Sequence, residues 1–483
     1  MDRLNKLTQH LKEESGEARK CPFRHRDVKD SSRIRPLPTA AGDASAIDPP
    51  VVKATKRTST DPINFLLETA KEHKDCFTVD RGRGYQYIVP TDVSLYEDIL
   101  TFDDIFGNPV TPNMSVNKNI FQIPSDQLDR HEQNAIGGLR KYLLNNNAGL
   151  ADIIAAKLET YMKEVMGESG TMDLRDLGVA IFWPMTEALF GEKANINHAP
   201  FLYKAFDDID AYFGKALKGV EVPEVKEGVT KAYNQFSSMI KESNTGGCPV
   251  GPLIKYYDQA TKSEDPDLTA KFATAAWWGG QGNTLPSTVW TFGRILGDPE
   301  VKRKCYEEVD TTFANQPAAD GHYDYDTIPY LTAALKETLR MTTYSIAWRH
   351  VQKDTTLTAS SGKTYNFKKG QLVGLHFCMR HFDETVYAEP QKFKPERFIG
   401  YGAGLSPVID GKPYAWVPFS AGRHKCSGYP LAMLEIPVVM ALMFREYDME
   451  LLDPLPGYNF QQAFGVIGPD EKPVRVRYTK RSK

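Results

Sequence analysis

The chain has 483 residues, 41% of them hydrophobic and 25% charged, with a formal net charge of -3. That is enough apolar material for a large core, and the missing basic excess excludes an ordinary nucleic-acid binder. The six cysteines, Cys21, Cys76, Cys248, Cys305, Cys378 and Cys426, form no CxxC pair. This scatter excludes a disulfide framework and a zinc or iron–sulfur centre, and it fits a reducing compartment.

Residues 1–60 read as a lead-in arm, a charged start followed by RPLPTAAGDASAIDPP, and composition leaves it either ordered or flexible. Residues 1–20 are too polar for a signal peptide or anchor, and the apolar run Ile436–Phe444 is too short to span a bilayer. The expectation is a soluble, cytoplasmic chain with no membrane anchor, unless an anchor has been removed. Residues 61–483 read as a single globular domain.

Asp61-Pro62 opens a helix, INFLLETAKEH, followed by a strand pair around CFTVDR and YQYIVP. The middle is helical by periodicity; residues 151–165 place Ile153, Ile154, Leu158 and Met162 on one face. A long helix is expected from Asp267 to Leu296, behind Asp265-Pro266, with Gly279, Gly280, Gly282 and Pro286 inside it. Each such glycine costs a helix ~1 kcal/mol relative to Ala, and proline ~3 kcal/mol. The run is either an opening or kink that admits a ligand, or a place where helices pack closely on small residues. Another helix follows Thr327, with Pro329 in its first turn; the strands TTLTA, KTYNF and QLVGLH come next. A last helix, Pro430 to Glu446, is apolar nearly all round and should be buried.

Three motifs carry the chemistry. Phe419 to Gly428 has the form FxxGxxxCxG and ends just before that buried helix. A thiolate needs positive surroundings, and helix N-terminal amides together with Arg423, His424 and Lys425 are the expected source. Gly422 and Gly428 let the backbone turn tightly against a flat macrocycle. A single thiol suits a cofactor that brings its other metal ligands itself. Taken alone, a lone cysteine there would be an inert buried residue. The second motif pairs Glu337 and Arg340 at i, i+3; the third is Phe393-Lys-Pro-Glu-Arg397-Phe398, whose Arg397 can join that pair. Either one by itself reads as solvated charge on a surface.

In this order and at these separations, the three motifs resemble the cytochrome P-450 family of haem-thiolate enzymes, over about residues 60–480. The resemblance implies a mainly helical triangular prism with a small β region, and haem b (iron protoporphyrin IX) as cofactor. It implies that Cys426 is the metal ligand, within a cofactor-binding set of Cys426, His424, Arg349, Phe419, Gly422 and Gly428. His424 and Arg349 would face the haem propionates; Arg130, His131 and Arg140 are further candidates for that contact. Glu337, Arg340 and Arg397 become a structural triad.

Two departures matter. Ser420 replaces a glycine common after the motif's phenylalanine. In the long helix the family's (Ala/Gly)-Gly-x-(Asp/Glu)-Thr run reads Gly279-Gly280-Gln281-Gly282-Asn283, followed by Thr284, so the acid is replaced by glycine and the alcohol by asparagine. This run, with its surroundings Trp277-Trp278 and Pro286 to Trp290, resembles the branch of the bile-acid-pathway sterol hydroxylases and prostacyclin synthase. So does the segment Phe464 to Pro469. The implied function is monooxygenation of a small apolar molecule such as a steroid, terpenoid or lipid, using O2 and electrons from a separate reductase or ferredoxin. Asn283 and Thr284, or an ordered water, would then organise proton delivery. The alternatives are a peroxide isomerase or dehydratase resembling prostacyclin synthase, and a non-catalytic haem sensor or carrier. Trp278, Gln281, Ile346 and Phe464 are the expected substrate pocket, and the loop from Phe106 to Phe121 its entrance.

Overall fold

The computed structural model describes residues 45–107, 119–123, 139–216, 219–261, 266–314, 328–401, 408–463 and 465–482. Its principal helices are α1 (Pro62–Glu72), α2 (Asn147–Val165), α3 (Asp176–Phe190), α4 (Phe201–Ala216), α5 (Pro223–Asn244), α6 (Pro252–Thr261), α7 (Pro266–Gly282), α8 (Thr284–Gly297), α9 (Pro299–Ala314), α10 (Pro329–Thr342) and α11 (Tyr429–Glu446). The strands are β1 (Val51–Lys53), β2 (Cys76–Asp80), β3 (Gln86–Pro90), β4 (Phe106–Gly107), β5 (Ser169–Asp173), β6 (Ile346–Val351), β7 (Thr355–Thr358), β8 (Thr364–Phe367), β9 (Leu372–His376), β10 (Tyr447–Leu451), β11 (Tyr458–Ala463), β12 (Ile467–Pro469) and β13 (Arg475–Lys480).

The result is a helical body with a smaller β region, as expected for a mainly α chain. One sheet runs in the order β1-β2-β3-β9-β6-β4; the C-terminal β11 and β12 form a separate antiparallel pair. Residues from Ile47 onward belong to this fold, since Ile47 bridges Tyr365 and β1 pairs in parallel with β2. Residues 45–60 of the lead-in are thus ordered on the fold, and residues 1–44 lie outside the described part.

Local signals explain most of the boundaries. Proline at the first turn starts α1, α5 and α10, where its missing N–H is no loss. At α10 the freed amides of Tyr330 and Leu331 donate to the Glu308 carboxylate of α9 at 2.7 and 2.9 Å. In α2, Ile154, Leu158 and Met162 are buried as the periodicity requires, but Ile153 is 40% exposed and falls off the apolar stripe. In α11 almost every residue from Leu431 to Phe444 is buried, and the helix packs against α2, α9 and α10. Among the described residues no helix is long and apolar enough to cross a membrane.

The expected single helix from Asp267 to Leu296 is two, broken at Asn283 between α7 and α8. Three glycines weaken the turn before the break, and Pro286 withholds an amide just after it. A second difference concerns the expected entrance loop. Phe106 is fully buried, packing edge-on against Phe367 at 5.6 Å, so its first end is core. Residues 108–118 lie outside the described part. The far end, Phe121 and Gln122, lines a cavity of about 220 Å³ with Val229 and Tyr233 of α5 and Thr274 of α7.

Candidate functional site

The loop before α11 is built around tight backbone turns. Ser420 has φ +61° and Gly422 φ +72°, and the Cys426 amide donates to the Phe419 carbonyl at 2.8 Å, closing the loop. A Cβ at Gly422 would lie 2.8 Å from the Leu100 carbonyl oxygen, so glycine is required there on two counts. Phe419 is half-buried and sits edge-on to Trp416.

Cys426 is enclosed by protein, yet its surface is accessible, so it lines an interior wall. Burial pushes its thiol above the ordinary value, while the amides of Gly428 and Tyr429 and the charge of Arg140 pull it down. The positive run expected from sequence is not what acts on it. His424 pairs with Asp103 at 3.3 Å, and the Arg423 side chain lies outside the description. Arg140 instead donates to the Lys425 carbonyl at 3.3 Å. Of the three candidate propionate contacts, Arg140 stands beside the cysteine loop; Arg130 and His131 lie outside the described residues.

The second part of the site is the break between α7 and α8, tied to α11 by Thr284 and Glu435. Gly279 and Asn283 are exposed in the middle of an otherwise buried helix pair, with Gly280 and Gly282 partly so. A Cβ placed at Gly279 or Gly280 would touch nothing within 4 Å, so this face opens onto space. Of the two uses open for these glycines, the backbone here follows the first. Asn283 accepts from the Val466 amide at 2.9 Å, and Gly465, with φ +128°, packs against it. The Thr284 hydroxyl points the other way, donating to Glu435 of α11 at 2.8 Å. Burial raises the Glu435 carboxyl to about 8, partly offset by that hydrogen bond.

Two pocket residues sit where sequence alone did not place them. Gln281 is 2% exposed and turned toward α3, its amide 3.5 Å from Thr186 Oγ1. Two residues from both Gly279 and Asn283, it projects from the opposite side of the helix, so it is not on the open face. Trp278 is buried against α4, stacked on Phe213 at 4.2 Å, and meets the opening only at its edge. Ile346 is half-buried on β6, and Phe464 lies outside the described residues.

The structure brings Glu337, Arg340 and Arg397 together. Glu337 and Arg340 are both fully buried and joined by two bonds of 2.8 and 2.9 Å; Arg397 Nε reaches Glu337 at 3.2 Å. Arg340 also donates to the carbonyls of His381 and Pro390, and the Lys394 amide donates to Glu337. Both carboxylate oxygens and every guanidinium nitrogen of the pair are thus engaged, which a buried charge requires. The cluster fixes the coil that leads to the cysteine loop.

These residues fit an iron porphyrin. Among the described residues no group of His, Cys, Asp and Glu could hold a bare metal ion, so a metal at Cys426 has to bring its other ligands. Arg349 is 2% exposed with Nε and Nη2 unpartnered, its charge disfavoured by burial and favoured by Asp103. Arg140 Nε is likewise buried without a partner. Buried guanidinium donors left over in this way suit anionic carboxylates such as propionates. Asp210 of α4 and Glu435 of α11 also stand at this site, and no motif in the sequence singles them out.

Comparison with known proteins agrees. Residues 252–470 match the family model described as cytochrome P-450. The chain is 28% identical over 468 residues to cytochrome P-450 7B1 of Mus musculus, covering 87% of each chain. It is 22% identical to the 24-hydroxycholesterol 7-alpha-hydroxylase of Mus musculus, covering 87% of this chain and 89% of the other. It is 26% identical to the cholesterol 7-alpha-monooxygenase of Cricetulus griseus over 52% of each, so there it spans about half the relative's length. With a mainly helical fold, a thiol at the start of a helix that is tied to the glycine-opened break, and relatives of this kind, residues 252–470 form a cytochrome P-450 domain, and the chain is an oxidoreductase that uses haem.

Proposed function

We propose that the chain is a haem-thiolate monooxygenase acting on a sterol or a similarly rigid apolar molecule, with Cys426 as the residue that would hold the haem iron. The observation that carries it is the accessible Cys426 thiol inside the fold, at the start of α11, with the open face of α7 and α8 on a neighbouring element. Bound haem would supply O2 binding and activation, held by the Cys426 thiolate. The chain's residues do the rest. The amides of Gly428 and Tyr429 and the Arg140 charge stabilise the deprotonated sulfur. Arg349 and Arg140 would hold the propionates through their unpartnered guanidinium nitrogens, and Gly279 and Gly280 leave open space on the helix face. Sterol hydroxylases among the relatives support the substrate class. A monooxygenase of this kind takes its electrons from a reductase or ferredoxin.

The test is the reduced carbon monoxide difference spectrum, followed by titration with sterols. The expected result is a thiolate-type Soret band that Cys426→Ser abolishes, and a spectral shift on sterol addition. A wild-type band of the neutral-imidazole type would overturn the reading. Turnover with NADPH and a reductase, rather than with a lipid hydroperoxide alone, separates monooxygenation from peroxide rearrangement.

A further inference from the structure

Gly282 stands where the resemblance expects an acid, and its missing side chain leaves room for one from elsewhere. Asp210 of α4 fills that room. Its Oδ1 lies 3.5 Å from the point a Cβ at Gly282 would occupy, as does the ring edge of Trp278. The Trp278 indole stands beside the Asp210 carboxylate, and the stacking of Trp278 on Phe213 at 4.2 Å fixes α4 against α7. Asp210 is surrounded by protein but accessible, so it lines the opening between the two helices. One turn away, Asp207 is exposed on the same face.

We propose that Asp210 is the proton-relay group of this enzyme, replacing in space the acid that position 282 lacks in sequence. The proposal rests on the monooxygenase reading above. That reaction converts RH, O2, two electrons from the external donor and two protons into ROH and water. Each relayed proton leaves an Asp210 carboxyl oxygen toward the face of Gly282 and Asn283, and solvent reprotonates the carboxylate by way of Asp207. Burial first, then repulsion from Asp207, raises the Asp210 carboxyl to about 7, while the neighbouring Trp278 indole favours the charged form. Both protonation states are therefore populated at neutral pH, as a relay requires. Among the described residues, Asp207 on its own helix and Trp278 on α7 are the groups that act on it.

The experiment uses the haem-loaded full chain with reductase, NADPH and the sterol giving the largest spectral shift. Asp210→Asn is expected to lower product formed per NADPH about tenfold or more. Hydrogen peroxide release rises, while the carbon monoxide band and sterol affinity stay unchanged. Asp210→Glu keeps coupling but shifts its pH profile. Gly282→Asp added to Asp210→Asn restores coupling, because a Cβ at 282 makes only ordinary contacts. Independently of turnover, infrared spectra of ferric protein labelled at aspartate carboxyls show a group titrating near neutrality that Asp210→Asn removes.

Unchanged coupling in Asp210→Asn overturns the relay. So does weakened sterol binding with coupling intact, which would make Asp210 a substrate anchor. A wild type without the thiolate band, or active on hydroperoxide alone, overturns the monooxygenase reading and the relay together.

Discussion

At the scale of single residues, the cysteine loop holds two left-handed positions of opposite kind. Gly422 sits at φ +72° with the Leu100 carbonyl where a side chain would go; Ser420 carries a side chain at φ +61°. An L-residue in that region is strained by about 1–2 kcal/mol, and glycine escapes most of it at some entropic cost. Ser420→Gly should therefore stabilise the haem-loaded protein by about 0.5–1 kcal/mol. Gly422→Ala should destabilise it by roughly 2–3 kcal/mol, since it meets both strain and a clash. Thermal denaturation followed at the Soret band reads both signs; a destabilised Ser420→Gly would show that the serine hydroxyl matters more than the backbone. At this scale the sequence announces what lies close along the chain. Cys426, Gly422 and the Glu337/Arg340 pair are legible because their spacing within a loop or one helix turn is their geometry. Asp210 is not, because FDDIDAYFG reads as the solvated side of an amphipathic helix. Only the packing of Phe213 on Trp278 turns that carboxylate toward Gly282.

At the scale of elements, the break between α7 and α8 is a junction as well as an opening. Asn283 holds the Val466 amide at 2.9 Å, the Tyr344 amide donates to the Gly465 carbonyl at 2.6 Å, and Trp290 of α8 donates to the Ile467 carbonyl at 2.7 Å. Together these tie β12 and the chain before it to the helix pair. Loss of the Asn283 amide leaves a buried backbone donor without its acceptor, at about 1–3 kcal/mol. Asn283→Ala should consequently speed hydrogen exchange at Val466 and the β11–β12 pair, even without substrate. If exchange there is unaltered and only coupling falls, Asn283 serves the distal chemistry and not the junction. The glycines and proline predict an irregularity in this helix but not its site, since propensity measures a cost and tertiary partners decide where it falls. The partners here come from the far C-terminus and from α11, beyond the reach of any local pattern.

At the scale of the whole molecule, two buried histidines and two raised carboxyls, Glu435 and Asp210, set how stability follows pH near neutrality. His376 and His381 are almost fully buried, and burial first, then nearby arginine charge, lowers each to about 3. His381 Nε2 accepts from the Val417 amide at 3.0 Å, which needs the neutral ring. Below an unfolded value near 6.5 the unfolded chain binds protons that the folded one refuses, so stability is lost as pH falls from 6.5 toward 3. Glu435 has the opposite sign. Raised to about 8, its folded form keeps a proton that the unfolded chain gives up near 4.5, so its contribution is complete below 4.5 and lost as pH rises to 8. Asp210, raised to about 7, has the sign of Glu435, so between about 4.5 and 6.5 two histidines and two carboxyls nearly cancel and stability is close to flat. Above about 6.5 the two carboxyls act without the histidines, and Glu435 alone should lower stability by roughly 2 kcal/mol by about pH 8. Stability is thus expected to hold up to about pH 6.5 and to fall above it. Glu435→Gln removes most of the alkaline limb: its amide can still accept from Thr284, and it has no proton to lose. Urea or thermal unfolding across about pH 4.5 to 8 checks this directly. A wild type that gains stability steadily from about pH 6.5 to 8, or a Glu435→Gln variant that loses it there as steeply as the wild type, would mean that Glu435 does not govern the limb.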